Sequence, residues 1–423
     1  MTRLAADAAG TGALPPLVEP HPTLTRREIE RYSRHLALPE LGSVGQRRLR
    51  NASVLVIGAG GLGAPILHYL AAAGIGAITV IDDDVVEASN LQRQVLHREA
   101  DVGRRKVDSA RDALLRLDPT MTVTALNDRL SADNARELFS RHDLVLDGAD
   151  NFATRYLAND AAELTGTPLI WGTIIRFAGQ VSTFWPGKGP MLRDLFPDVP
   201  AADSVPNCAE GGVLGVLCGT VGSAMATEAI KLICGIGAPL VGRLLRYDAL
   251  TADYSTLQFT VDPQRPIVAD LREAEEACSA LSGGANIKGT DAGEPDVGTD
   301  DLSTDDLSTD DLSTVDVASL AVRLDAASEI HDLLAVVDVR DDWERELSAI
   351  PGSMHVPLER IEREGWSAVS DVCDGASEMV LYCKSGVRSA RARDRLAAES
   401  PDQVTVRSLA GGIDAWERGR GTR

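Results

Sequence analysis

The stretch Val54-Leu55-Val56-Ile57-Gly58-Ala59-Gly60-Gly61-Leu62-Gly63 decides the fold. Four apolar residues, three of them β-branched, read as a buried strand, and the glycines that follow make a turn that opens into a helix. A G-x-G-x-x-G turn between a strand and a helix lets the backbone approach phosphates, while the helix N-terminus offers its unpaired N–H groups to the anion. Asp82, at the end of the next strand, stands where a carboxylate accepts hydrogen bonds from a ribose.

Outward from this turn the alternation continues. Short runs at Ala77 to Ile81, Met121 to Ala125 and Leu144 to Leu146 are separated by amphipathic helical stretches, the pattern of a parallel α/β sheet. Residues 178 to 184 and 254 to 260 alternate like antiparallel strands, and Gly212 to Ile233 between them reads as a long buried helix. A mixed sheet therefore extends the first domain, which starts at the capping box of Thr25 and Glu28, to about residue 270. The run Arg31 to His35 is expected to continue the helix that begins there.

Residues 1–24, rich in Ala, Gly and Pro, are expected to be disordered. Residues 271–314 contain Gly-Gly and a five-residue acidic repeat too short and too polar to bury a core, and they read as a flexible linker. Strands at Leu333 to Val339, Met379 to Tyr382 and Val404 to Arg407 then mark a second, smaller α/β unit over 315–423.

The chain has 423 residues and a net charge of -21, but residues 291 to 316 alone hold ten carboxylates and no Lys or Arg, so much of the excess is local. The negative sign and an aromatic share of 4% argue against nucleic-acid or anionic-membrane partners. No run reaches the roughly 18 uninterrupted apolar residues of a membrane span. Six cysteines without a C-x-x-C pair or a leader-like apolar core point to a reducing, cytoplasmic setting.

Ser89-Asn90-Leu91-Gln92-Arg93-Gln94 and then Lys106 bring two cations near the phosphate turn, which suits a triphosphate under attack better than a bound dinucleotide. Asp150, followed by Asn151, ends a further strand and can hold Mg²⁺ against phosphates. Taken singly, Arg93 and Lys106 read as surface ion pairs and Asp150-Asn151 as a turn. Their conjunction favours a nucleotide-activating site.

Arg31 to Arg34, the glycine turn, Ser89 to Arg93, Lys106, Asp147-Gly148-Ala149-Asp150-Asn151 and Cys208-Ala209-Glu210-Gly211-Gly212 resemble the MoeB/ThiF-like prokaryotic E1 enzymes, over residues 25 to 262. The resemblance implies a Rossmann-like E1 fold and ATP-dependent adenylation of the C-terminal Gly-Gly carboxylate of a ubiquitin-like sulfur-carrier protein. It assigns an ATP site to Gly58, Gly60, Gly61, Gly63, Asp82, Ser89, Asn90, Leu91, Gln92, Arg93, Lys106, Asp150 and Asn151. It also implies a homodimer across which Arg34 reaches, and a cysteine role for Cys208.

Many such enzymes carry a structural zinc on two C-x-x-C pairs. Here the corresponding positions read Met191-Leu192-Arg193-Asp194 and Arg265-Pro266-Ile267-Val268, a set that makes no tetrahedral thiolate site. No structural zinc is expected, as in the MoeZ-like branch of the family, which the rest of the chain also resembles.

Cys383 opens the loop Cys383-Lys384-Ser385-Gly386-Val387-Arg388-Ser389 between a strand and a helix, so its sulfur faces backbone N–H groups with two cations near. That setting stabilises a thiolate or a persulfide anion. Val337 to Arg340, Ile350 to Pro357 and Leu409 to Trp416 resemble the rhodanese domain around it, which implies a sulfurtransferase fed by thiosulfate or by a cysteine desulfurase. Cys218 and Cys234 read as packing residues. A nicotinamide-dependent oxidoreductase fused to a rhodanese, and a non-catalytic carrier-binding scaffold, are the competing readings.

Overall fold

The computed structural model describes residues 14–197, 212–271, 313–325, 334–372, 375–400 and 404–420. They fall into two compact units, one within residues 1–291 and one within 292–423.

The first unit is built on an eight-stranded sheet: β1 (Ser53–Ile57), β2 (Ala77–Ile81), β3 (Thr122–Leu126), β4 (Leu144–Asp147), β5 (Leu169–Ile175), β6 (Ala178–Phe184), β7 (Arg243–Asp248) and β8 (Asp253–Gln258). Its order is β3-β2-β1-β4-β5-β6-β7-β8. Pairing is parallel from β3 to β5 and antiparallel from β5 to β8. The strand order reverses at β1, which lies between β2 and β4, and a ligand crevice opens at the carboxyl ends of strands at such a switch point.

β1 shows how the apolar run makes two cores. Val54 and Val56 enter one hydrophobic cluster with Leu49, Ile66, Leu70 and Met225, while Leu55 and Ile57 enter the other with Phe139, Leu157 and Trp171. A strand covered on both faces needs no polar alternation, which is why this segment is uniformly apolar. The helix Gly215–Cys234 packs into the first cluster through Leu217, Val221, Met225, Ala229 and Ile233. Among the described residues it is the one helix long and apolar enough to cross a membrane, and more than half of it is buried in this core.

Two expectations are corrected. Residues 14–24 are not free of structure: Leu17 N–H donates to the Leu232 carbonyl at 3.0 Å and Val18 is buried in the first core. The apolar pair Leu17-Val18, inside a Pro-rich stretch, supplies that anchor. The helix capped by Thr25 ends at Arg31, and Ser33–Leu36 forms a separate turn of helix. It breaks at Tyr32, whose buried hydroxyl is drawn to Asp118 at 3.0 Å. Strands β5 and β7 are not marked by the apolar pattern alone, because Gly172 and Thr173 interrupt the first and Arg243, Arg246 and Asp248 dilute the second. The proposed linker lies almost wholly outside the described residues.

Met191–Asp194 and Arg265 are tied together by charge. Arg265 Nε donates to Asp194 Oδ1 at 2.9 Å and its Nη1 lies 3.0 Å from Glu163 Oε2, while Arg193 pairs with Asp160 at 2.7 Å. The Asp194 side chain is 1% exposed and that of Arg265 13%.

The second unit is a five-stranded parallel sheet of order β11-β10-β12-β13-β9, made of β9 (Thr314–Val315), β10 (Leu334–Asp338), β11 (Met354–His355), β12 (Glu378–Tyr382) and β13 (Thr405–Leu409). Val337 and Leu381 face one cluster, Val336 and Val380 the other.

Replacing Arg265 by Ala leaves the buried Asp194 and the part-buried Glu163 carboxylates without their cation, and the first unit is expected to lose about 3 kcal/mol of stability. Urea unfolding of the Arg265→Ala chain at neutral pH measures this, and a loss below about 0.5 kcal/mol, the range of an ordinary surface pair, contradicts it.

Candidate active sites

The turn after β1 is forced by close backbone contact. Gly58 adopts φ +87°, and a Cβ on Gly63 would lie 2.0 Å from the Gly58 carbonyl oxygen. Gly61 packs over helix Gly215–Cys234, where a Cβ would meet Cys218 Sγ at 2.8 Å. The helix Gly63–Ala73 thereby starts directly beneath an open cleft of about 610 Å³.

Seven expected residues line that cleft: Gly58, Gly60, Gly61, Asp82, Arg93, Lys106 and Asp150. Asp82 Oδ2 accepts the Ala59 N–H at 2.8 Å and Oδ1 the Asp84 N–H at 2.9 Å. Burial pushes the Asp82 carboxyl up, against the opposing charge of Lys106. Lys106 is 6% exposed and its Nζ donates to Asp84 Oδ2 at 2.8 Å. Arg93 is held by the Ser89 carbonyl at 3.1 Å.

Gly63, Ser89, Asn90, Leu91, Gln92 and Asn151 do not line the cleft, and most of them support it. Gly63 makes room for the Gly58 carbonyl. The buried Asn90 accepts the Arg93 and Gln94 N–H groups at its carbonyl and so aims both side chains. Asn151 caps the helix Phe152–Thr165 by accepting the Thr154 N–H at 2.8 Å. Gln92 packs against Gly215, where a Cβ would meet its carbonyl oxygen at 2.3 Å. Arg34 is exposed and lies outside the cleft of its own chain.

Other lining residues were missed. Gln94 is 4% exposed and faces Gly60. His97 supports the turn from below, its Nε2 on the Ala59 carbonyl and its Nδ1 on Ser109 Oγ, both at 2.9 Å. Burial pushes the His97 imidazole down, so it serves as a neutral strut. Both follow Arg93 closely, and that proximity was the available signal. Cys218, expected only to pack, is buried and also lines the cleft. Cys234 is buried as expected, and burial pushes its thiol up to about 12.

Asp147 is fully buried at the end of β4. Its Oδ1 accepts the Ala149 N–H at 2.9 Å, and Oδ2 has no hydrogen-bond partner among the described residues. Arg155 donates to the Ala149 carbonyl at 3.1 Å beside it. Burial pushes the Asp147 carboxyl up to about 6, opposed by the Arg155 charge.

In the second unit Cys383 follows β12 and is 1% exposed. The Gly386 N–H donates to its Sγ at 3.1 Å and Ser389 Oγ lies at 3.6 Å. The turn Leu409 to Gly412 closes on the loop: Ile413 N–H donates to the Cys383 carbonyl at 2.8 Å and Asp414 N–H to that of Lys384 at 3.1 Å. A Cβ on Gly412 would meet the Cys383 carbonyl oxygen at 2.4 Å. Tyr382 anchors β12 by donating to Asp338 at 2.9 Å, with Arg340 bidentate on the same carboxylate. Arg388 is paired with Glu344. Cys208, Cys278 and Cys373 lie outside the described residues.

Residues 32–266 match the ThiF family and residues 320–418 the Rhodanese-like domain. The chain is 47% identical over 411 residues to the probable adenylyltransferase/sulfurtransferase MoeZ of Mycobacterium tuberculosis, covering 96% of this chain and 97% of that protein. It is 39% identical to the adenylyltransferase and sulfurtransferase MOCS3 of Bos taurus, over 94% of this chain and 87% of that one. The sulfur carrier protein adenylyltransferase of Thermus thermophilus is 49% identical over 58% of this chain and 93% of its own length. The crystal structure of E. coli MccB with MccA-N7isoASN, at 22% identity, shares the fold with a TM-score of 0.51, covering 57% of this chain and 75% of that one.

The Asp147 carboxyl is protonated more readily in the folded chain than in the unfolded one. It therefore supports the fold fully below about pH 4, and that support is lost as pH rises through about 6. Asp147→Asn removes the dependence: between pH 4 and 7.5 the variant should gain about 2 kcal/mol relative to the parent. Urea unfolding at both pH values tests this, and a constant difference between the two chains refutes it.

Proposed function

The chain belongs to the ThiF family and carries a rhodanese-like domain after it, and from that premise we propose that it activates and then thiolates a ubiquitin-like sulfur-carrier protein. The observation that carries the first half is the convergence of Gly58, Gly60, Gly61, Asp82, Arg93, Lys106 and Asp150 on one cleft at the switch point of the sheet. The glycine turn presents backbone without side chains to the cleft where phosphates approach. Asp82 meets the ribose of ATP, and Arg93 and Lys106 stabilise the charge that develops as the carrier's C-terminal Gly-Gly carboxylate attacks the α-phosphate and pyrophosphate leaves. The product is an acyl adenylate.

Asp150 is an exposed hard-oxygen ligand at the cleft and fits Mg²⁺, which would neutralise phosphate charge there. Arg34, exposed and outside its own cleft, suits the role of completing the site of a second copy in a homodimer.

In the second half Cys383 carries a persulfide, stabilised by the Gly386 N–H and the Ser389 hydroxyl. Its outer sulfur attacks the acyl carbon and AMP leaves, giving an acyl disulfide. Cys208 then attacks the Cys383 sulfur, so that the thiocarboxylate is released and a Cys208–Cys383 disulfide forms. Covalent linkage of the two units raises the effective concentration of persulfide at the adenylate. Thiosulfate or a cysteine desulfurase supplies the sulfur, in the cytoplasm, where the thiols stay reduced.

Pyrophosphate exchange into ATP is expected to require a carrier ending in Gly-Gly and to fall about 100-fold in Lys106→Ala. Cys383→Ala should retain the exchange and yield no thiocarboxylate by mass spectrometry. Exchange without carrier, or thiocarboxylate from Cys383→Ala, overturns the assignment.

We propose further that the first unit holds no structural zinc, its place as a staple between Asp194 and Arg265 being taken by their ion pair. Elemental quantification of the purified chain should find no stoichiometric zinc, and one tightly held zinc per chain would refute this.

A further inference from the structure

The Cys383 loop carries two cations, and the structure treats them differently. Lys384 is exposed and has no ion-pair partner among the described residues. Arg388 makes a bidentate pair with Glu344, Nη1 to Oε2 at 2.6 Å and Nη2 to Oε1 at 2.7 Å. The two side chains are 17% and 8% exposed. Glu344 is in turn fixed from behind, because its Oε2 accepts the Asp341 N–H at 3.1 Å at the start of the helix Asp342–Leu347. The pair therefore brings no net charge to the loop, although Arg388 is close enough to Cys383 to feel its thiolate. Asp341 adds a further negative charge nearby.

A cancelled arginine is a poor partner for a small dianion. Thiosulfate transfers sulfur when the Cys383 thiolate attacks its outer sulfur: a Cys383 S–S bond forms, the bond to the sulfonate sulfur breaks, and its electron pair leaves with sulfite. Three negative charges gather around one sulfur in that step. Each uncancelled cation at the loop lowers the cost of bringing the dianion in, and Lys384 alone is available.

We propose that Glu344 is a specificity-determining positioning residue for the sulfur donor: by neutralising Arg388 it turns the Cys383 loop away from dianionic thiosulfate and toward donors of lower charge. The proposal rests on the reading of Cys383 as the persulfide carrier.

The test uses the full chain with thiosulfate, a dianion, and methanethiosulfonate, a monoanion that transfers its outer sulfur and releases a sulfinate. Cyanide is the acceptor and Cys383→Ala the blank. Glu344→Gln keeps the size of the side chain and an oxygen for the Asp341 N–H, but it uncovers Arg388. It should lower the KM for thiosulfate about fivefold and that for methanethiosulfonate no more than about twofold, with kcat changed less than KM. The double variant Glu344→Gln/Arg388→Gln again presents a neutral pair, so its thiosulfate KM should return to within about twofold of the parent.

Equal KM changes for both donors, or a fall in kcat alone, would show that Glu344 only holds the loop and would overturn the proposal. So would a double variant whose thiosulfate KM rises well above the parent, because Arg388 would then bind the donor while paired. A parent chain no more active than Cys383→Ala with either donor removes the persulfide reading itself, and the role of Glu344 with it.

Discussion

A Cβ atom on Gly63 would sit 2.0 Å from the carbonyl oxygen of Gly58, and that contact allows no residue but glycine. Because the chain turns so tightly after β1, the helix Gly63–Ala73 begins against the strand end without a side-chain cap, its Ala64 N–H donating to the Gly60 carbonyl at 2.9 Å. Everything that lines the site is placed relative to this turn. Asp82 reaches it through the Ala59 N–H, His97 braces it through the Ala59 carbonyl, and Gln94 faces Gly60. The cost of the turn is conformational, since glycines lose the most backbone freedom on folding. Burial of β1 on both faces offsets it.

The second unit solves a related problem with the same parts. β12 ends at Cys383, a positive-φ glycine at Gly386 precedes a helix, and a neighbouring turn with Gly412 packs where a Cβ would strike the backbone. A backbone N–H again points at the reacting position, here that of Gly386 on the Cys383 sulfur. The difference lies in the flanking charge. At the first site Lys106 pairs with an exposed Asp84, a partner that water can replace. At the second, Arg388 pairs with a Glu344 that is buried and hydrogen-bonded from behind. One arrangement leaves a cation open to a highly charged substrate, and the other withholds it.

Legibility in the sequence followed the same physics. Both strand-turn-helix sites were readable because only glycine fits them, so composition and geometry coincide at Gly58 to Gly63 and around Gly386. The cations Arg93 and Lys106 were readable because they occur together with the glycine turn and Asp150. Ser89 to Gln92 stand behind the cleft lining, where Asn90 and Ser89 position Arg93 and Gln94. The reading missed His97 and gave Asp147, quoted within its motif, no role of its own, because both roles come from burial and from packing of segments far apart in the chain. It likewise undervalued Leu17 and Val18, two apolar residues in a polar, Pro-rich stretch that find the Gly215–Cys234 helix only in three dimensions.

On the proposed absence of zinc, the ion pair between Asp194 and Arg265 keeps a contact of the fold while changing its chemistry. A tetrathiolate metal site joins two segments rigidly but requires reduced, deprotonated cysteines. An arginine fork held by Asp194 and Glu163 joins the same two segments with no dependence on thiol redox state. For a chain whose proposed reaction forms persulfides and a disulfide, that exchange separates the integrity of the adenylation unit from the sulfur chemistry it supports. Thiols near such chemistry are oxidisable groups, and Cys218, which lines the cleft, is buried beneath Gly61 in the apolar core. The structural load is thus carried by charge and packing, and the proposed sulfur chemistry is left to other cysteines, among them the one that opens the second unit's loop.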